Sequence, residues 1–158
     1  MRIHTIETTT HLPINIEDVF PFFCKVENLQ RITPPELDFA ILTPLPIEIE
    51  LGTTVDYQLR LFRIPFQWRS EITVWDPPYR FVDVQISGPY RSWEHTHLFF
   101  PEDNDTVIED NVIYRLPYWP FGEIIYPLVN AQLKRIFQYR QKTIKELLLE
   151  SSTEGGLR

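Results

Sequence analysis

One cysteine, Cys24, stands in 158 residues, so no disulfide can close within the chain and no thiolate pair can hold a metal. A lone thiol fits a reducing compartment, and the cytoplasm is the expected location. Glycine is scarce as well, with 5 against 14 prolines. There is no Gly-rich phosphate loop and no G-x-S-x-G elbow, so neither nucleotide binding nor serine-hydrolase chemistry has its signature. No cofactor is assigned. No run approaches the length of a membrane-spanning helix, so no integral membrane segment is expected. Met1–Thr5 also lack the apolar stretch of a secretory signal. Basic residues are outnumbered, 15 Lys+Arg against 22 Asp+Glu for a net charge of −7. Phosphate neutralisation therefore gives no route to a nucleic-acid partner.

What is abundant is aromatic: 4 Trp, 7 Tyr and 11 Phe. The length suits one domain, read as 1–150, followed by a small, polar and flexible tail over 151–158. Prolines punctuate the chain at Pro13, Pro34-Pro35, Pro77-Pro78, Pro89, Pro101 and Pro117, where each removes a donor and restricts its neighbour. Between them the period is mostly two. Arg2–Leu12, Leu37–Leu42, Thr53–Leu61, Phe66–Trp75, Phe81–Ile86, Ser92–Phe100 and Thr106–Leu116 read as strands. Their short connections imply antiparallel neighbours. Two segments carry helical spacing instead. One starts at Asn15, a helix cap by type, and runs through Ile16, Val19, Phe20 and Phe23 despite Pro21. The other begins near Pro127 and carries an apolar stripe from Leu128 to Leu148, with Lys134, Arg135, Arg140, Lys142 and Lys145 read as its outer face.

The reading is an α+β fold: a curved antiparallel sheet of about seven strands, two short helices after the first strand, and one long C-terminal helix across the sheet. One helix does not fill the concavity of such a sheet, so a cavity lined by large side chains is expected.

The element order and several ordered patterns resemble the START-like (SRPBCC, helix-grip) superfamily, in particular its bacterial polyketide-cyclase/dehydrase branch. The patterns are Glu27-Asn28-Leu29 with Ile32-Thr33-Pro34-Pro35, Trp75-Asp76-Pro77-Pro78 with Arg80-Phe81-Val82-Asp83, Gln85 with Gly88-Pro89-Tyr90, Trp93-Glu94-His95-Thr96-His97-Leu98-Phe99, Asp110 with Tyr114-Arg115-Leu116-Pro117, and Tyr139-Arg140. They span about Ile3 to Leu149. The resemblance implies a helix-grip fold with a hydrophobic cavity for an apolar small molecule, and it leaves activity open, because that superfamily includes carriers, sensors, cyclases and dehydratases.

His95 and His97 are the sharpest chemical signal, since residues two apart on a strand share a face. They would set two near-neutral bases beside Trp93 and Phe99, or shape the pocket wall. They also begin a zinc ligand set, but among Asp110, Glu109 and Asp83 nothing in the sequence selects a third ligand, and no metal is assigned. Asp110 alternates with Ile108, Val112 and Tyr114, so a carboxylate there needs a partner. Asp83 and Gln85 share one strand face. A two-residue turn at Gly88-Pro89 would turn them away from the histidines, and a longer turn would bring them alongside.

The leading expectation is a binding module for a hydrophobic or amphipathic small molecule of lipid, polyketide, quinone or isoprenoid type. Trp68, Trp75, Trp93, Phe99, Tyr114, Leu133, Ile136 and Phe137 would pack on it, and His95 and His97 would anchor it. The alternatives are a cyclase/dehydratase-type enzyme using His95, His97 and Asp110 as acid and base, and an interaction protein without a ligand. The sequence does not determine the oligomeric state.

Overall fold

The computed structural model describes residues 1–155. β1 (His4–Leu12) opens the chain and is followed by α1 (Ile16–Phe23), α2 (Glu27–Arg31) and a single 3-10 turn over Pro35–Leu37. Then come β2 (Ala40–Ile41), β3 (Thr54–Leu61), β4 (Ile64–Asp76), β5 (Arg80–Ser87), β6 (Ser92–Glu102) and β7 (Asp105–Arg115). α3 (Phe121–Ile124) and α4 (Tyr126–Gly155) close it. The strands form one antiparallel sheet in the order β1-β7-β6-β5-β4-β3-β2. The expected seven strands are therefore present. The segment read as a strand from Leu37 shrinks to two residues, because Asp38 takes a left-handed conformation at φ 44° behind the 3-10 turn.

Alternation on each strand explains which face is covered. On β6, Trp93, His95, His97 and Phe99 are buried while Glu94 and Phe100 are exposed. β1 presents His4, Ile6, Thr10 and Leu12 to the same interior. Register shifts between Arg69 and Ser70, and between Ile72 and Val74, bend β4. Such irregularities add twist and curvature, making the inner face concave.

Pro21 lies inside α1, and the helix ends two residues later, where the Cys24 amide donates to the Pro21 carbonyl. The apolar run that continues to Leu29 is thus split into two short helices. Asn15 does precede the first helical residue, but its side chain makes no capping bond; its carbonyl receives the amides of Asp18 and Val19 instead.

α4 has 30 residues and buries Val129, Leu133, Phe137, Ile144 and Leu148 against the sheet. Its buried stripe is interrupted between Phe137 and Ile144, where Gln141 donates to the Thr9 carbonyl and the Thr10 hydroxyl. Arg135 reaches Glu36 of the 3-10 turn at 2.6 Å. Of the tail expected from Ser151, residues 151–155 continue this helix, and 156–158 lie outside the described residues. None of the described helices is long and apolar enough to cross a membrane.

Two apolar clusters fill the interior. Trp68, Tyr90, Trp93, Tyr114, Leu133 and Phe137 belong to one. Phe20, Phe81, Phe99, Ile108, Ile144 and Leu148 belong to the other.

Candidate functional site

Between these clusters lies a cavity of about 180 Å³. The concave faces of β3 to β6 form its floor, the α1–α2 segment one side, and α4 its roof through Leu133, Ile136, Phe137 and Arg140. Most of the wall is apolar, as burial of a hydrophobic ligand requires.

The polar part of the wall is built by register. Asp83 on β5 pairs with His95 on β6, and His97 pairs with Asp110 on β7. Directly paired residues share a face, so all four side chains project into the interior. The parity that the sequence leaves open is decided by Gln85. Its side-chain amide donates to the Tyr90 carbonyl at 2.8 Å and accepts from the Tyr90 amide at 3.2 Å. This closes a loop longer than two residues and sets Val84 opposite Glu94. Gly88 makes room for it, since a Cβ there would sit 2.5 Å from Gln85 Oε1.

The resulting tetrad is tight. His95 Nε2 lies 2.7 Å from Asp110 Oδ1, and His97 Nε2 lies 2.6 Å from Asp83 Oδ2. His97 Nδ1 is 3.3 Å from the same Asp110 oxygen, and His95 Nδ1 is 3.9 Å from Asp83 Oδ2. The imidazoles stack at 3.7 Å, with Phe81 against His97 at 4.0 Å and Phe137 edge-on to His95 at 5.5 Å. Asp83, His95 and His97 line the cavity; Asp110 lies behind the histidines, touched also by the Thr8 hydroxyl at 3.5 Å.

Burial opposes ionisation of both carboxyls, but imidazole hydrogen bonds and positive charge outweigh it. Asp83 therefore ionises below its ordinary range, and Asp110 far below it. Burial and the neighbouring His97 charge lower His95, despite its bond to Asp110. For His97, burial is outweighed by its contacts with Asp110 and Asp83, so its pKa rises. One ring thus favours the neutral form and its stacked neighbour the charged form.

The sequence-predicted wall residues divide. Trp68, Trp93, Leu133, Ile136 and Phe137 face the cavity. Trp75, Phe99 and Tyr114 do not. Trp75 and Phe99 pack with Phe20 and Phe81 in the neighbouring cluster. Tyr114 packs against His4, Tyr90 and Trp93 in the other, away from the tetrad.

Three contributors to the cavity wall, Tyr57, Ser70 and Arg140, are not among the wall residues expected from the sequence. Ser70 is a small hub, receiving the Trp68 indole N–H at 3.1 Å and lying 3.2 Å from the Tyr57 hydroxyl. Arg140, read from the sequence as outer-face, lines the cavity instead, with its guanidinium carbon 5.1 Å from the Phe137 ring centroid. Its place one turn beyond Ile136, in the gap of the apolar stripe, is the signal that could have found it.

A scan against protein-family models and a search of the curated proteins returned no match. Solved structures do match over nearly the whole chain. A protein designated TTHA0849 from Thermus thermophilus aligns with TM-score 0.76 and 19% identity, covering 94% of this chain and 99% of that one. Norcoclaurine synthase from Thalictrum flavum aligns with TM-score 0.70 and 15% identity, covering 96% and 97%. The Zhui aromatase/cyclase from Streptomyces sp. R1128 gives TM-score 0.76 and 14% identity, covering 93% and 94%. At such identities the likeness establishes architecture. The chain has the helix-grip fold of START-like proteins, a sheet wrapped on a long C-terminal helix around an internal cavity.

Proposed function

We propose that this protein binds a hydrophobic or amphipathic small molecule between its sheet and C-terminal helix. The observation that carries the reading is the cavity itself, mostly apolar, with a few polar groups gathered on one wall. Apolar burial drives uptake there, and Trp68, Trp93 and Phe137 offer flat surfaces to a ring or an unsaturated chain. The polar groups set orientation, with Arg140 and the Asp83–His97 pair able to engage an oxygen of the ligand. At about 180 Å³ the space suits a compact ring system or a folded short chain. A solvent extract of purified protein, examined by mass spectrometry, should contain one stoichiometric apolar molecule. An emptied sample should take up ANS at a single saturable site. A protein with no extractable molecule and no saturable dye site would sink the proposal.

A second reading is favoured by one observation, the pair of imidazole–carboxylate hydrogen bonds on the cavity wall. Asp110 holds the His95 imidazole through Nε2 and leaves its Nδ1 toward the cavity, the arrangement required of a base acting next to a carbonyl, while both His97 nitrogens face carboxylates. Among the neighbours, the aromatase/cyclase and norcoclaurine synthase are enzymes by name. Exchange of the α-protons of a cyclic 1,3-diketone into deuterated water tests it. The reading expects exchange above the buffer rate that falls with His95→Gln; equal rates in both proteins would remove it.

A further inference from the structure

We propose that Asp83, His95 and His97 form a binding site for a divalent first-row transition ion, open toward the cavity. This goes beyond small-molecule binding and competes with the acid–base reading for the same ring nitrogens.

The argument is one of sidedness. Each imidazole has two nitrogens, and the tetrad sorts them. The rear nitrogens, His95 Nε2 and His97 Nδ1, are both turned to Asp110 Oδ1, at 2.7 and 3.3 Å. The front nitrogens, His95 Nδ1 and His97 Nε2, are both turned to Asp83 Oδ2, at 3.9 and 2.6 Å. A metal-ligating histidine characteristically gives its other ring N–H to a carboxylate, which fixes tautomer and orientation. Here one buried carboxylate does so for two rings at once. Two imidazoles and one carboxylate on one side, with the remaining side open, is the donor set of a facial triad.

Distances need only small adjustment, and the two rings, stacked 27° from parallel, must also tilt so that both front lone pairs meet one ion. Donors bonded to one ion at about 2.0–2.2 Å sit about 3 Å apart. The three donor atoms here already lie within 4.8 Å of one another. Asp83 Oδ2 must withdraw slightly from His97, and His95 must approach it, by shifts of about 1 Å or less in each case. Charge fits as well, because Asp83 and Asp110 together carry the two negative charges that a divalent ion neutralises. The proton shared by His97 and Asp83 leaves to solvent as the ion enters. Arg140 is the opposing feature, a cation on the same wall whose charge acts on Asp83.

The test is a titration of chelator-treated protein with Co²⁺, read by visible absorption, and with Zn²⁺, read by calorimetry. The expected result is one ion per chain with d–d bands of a nitrogen–oxygen site. Asp83→Asn and His97→Gln should each weaken Zn²⁺ binding by about 100-fold or more, and Asp110→Asn, which removes only the rear support, by about 10–100-fold. Arg140→Gln should tighten it, an effect that a purely structural role for the tetrad would not produce. Circular dichroism identifies any variant that has lost its fold, and Arg140→Gln then carries the test. No stoichiometric uptake at millimolar Co²⁺, or uptake unchanged in folded Asp83→Asn and His97→Gln proteins, would overturn the proposal. Either result would leave dye and lipid binding by the cavity untouched.

Discussion

Filling the cavity from the helix side should abolish ligand uptake without dismantling the protein. Ile136 is the position of choice, because it faces the cavity from α4 and is only half-buried. Voids in protein interiors forfeit roughly 24 cal/mol per Å³. A cavity of about 180 Å³ therefore represents a ceiling of about 4 kcal/mol available to whatever fills it. A ligand occupying half the space would draw about 2 kcal/mol from that source, a factor of about 30 in Kd. The same energy corresponds to a rise of about 4–8 °C in melting temperature for a chain of this size. Ile136→Trp places a tethered ring in the same space. ANS, or the molecule extracted from the wild type, should then bind at least about 30-fold more weakly, with the ligand-induced rise in melting temperature lost. Strain from an imperfect fit would subtract about 1–3 kcal/mol from stability. That would appear in urea denaturation without restoring uptake. An Ile136→Trp protein that is folded and binds the probe with wild-type Kd would refute the assignment of this cavity as the binding site.

Phe99 gives the contrasting case: it is 1% exposed, packs on Phe20 and Phe23, and does not itself line the cavity. Phe99→Ala should cost about 3–5 kcal/mol in urea denaturation while the Kd for ANS changes little in the folded fraction; a large change in Kd at unchanged stability would reverse the assignment. The Tyr114 hydroxyl is buried with no hydrogen-bonding partner among the described residues, so Tyr114→Phe should be neutral or stabilising by up to about 1 kcal/mol, and a clear loss would contradict this. Burial pushes the Cys24 thiol up to about 11. Because the thiolate is the form that reacts and predominates only above that pKa, iodoacetamide labelling at about pH 8 should run far slower than for free cysteine and accelerate toward about pH 11. A rate matching the free amino acid would exclude the shift. Asp110→Ala should cost about 3–5 kcal/mol by stranding two imidazoles, whereas joint replacement of Asp83, His95, His97 and Asp110 by apolar residues should be near neutral. Equal losses in the two proteins would show that the tetrad holds the fold together.

The order of elements is legible in the sequence because its signals are local. Strand period, proline punctuation and the apolar stripe of α4 each act within a few residues of where they are read. The direction of His95 and His97 is legible for the same reason, since alternation ties them to Trp93 and Phe99. Which level of that face is hollow is not. Phe99 shares the strand face with His97, but Phe20 and Phe23 of α1 cover it, and that contact joins segments far apart in the chain. The side of Asp83 depends on a loop whose length is set by Gln85 folding back onto the Tyr90 backbone, a side-chain hydrogen bond spanning five residues that neither strand period nor propensity encodes. A cation on an amphipathic helix usually faces solvent, which is where the sequence pattern puts Arg140. Here the stripe breaks at a polar cavity, and the long side chain lies over Phe137 instead.

Four ionisable groups in the middle of a sheet are a costly way to make a protein stable. Each carboxylate loses its hydration, and an apolar replacement of similar volume commonly does as well or better. The rest of this interior shows that the chain has the means: Tyr114, Phe99, Leu12, Ile108 and Val112 pack essentially without exposure on the same sheet. The tetrad nevertheless occupies the stretch where three adjacent strands, β5, β6 and β7, hold its side chains in register. It turns three of its four members to the cavity and backs them with the fourth. A structural hydrogen-bond network would not need an open side. Preorganised polar groups on rigid strands, facing a space that admits a small molecule, are what recognition or chemistry demands of a scaffold. The aromatic excess of the sequence serves the same arrangement from both sides, closing the two flanking clusters, with Phe81 stacked on His97 and Phe137 edge-on to His95.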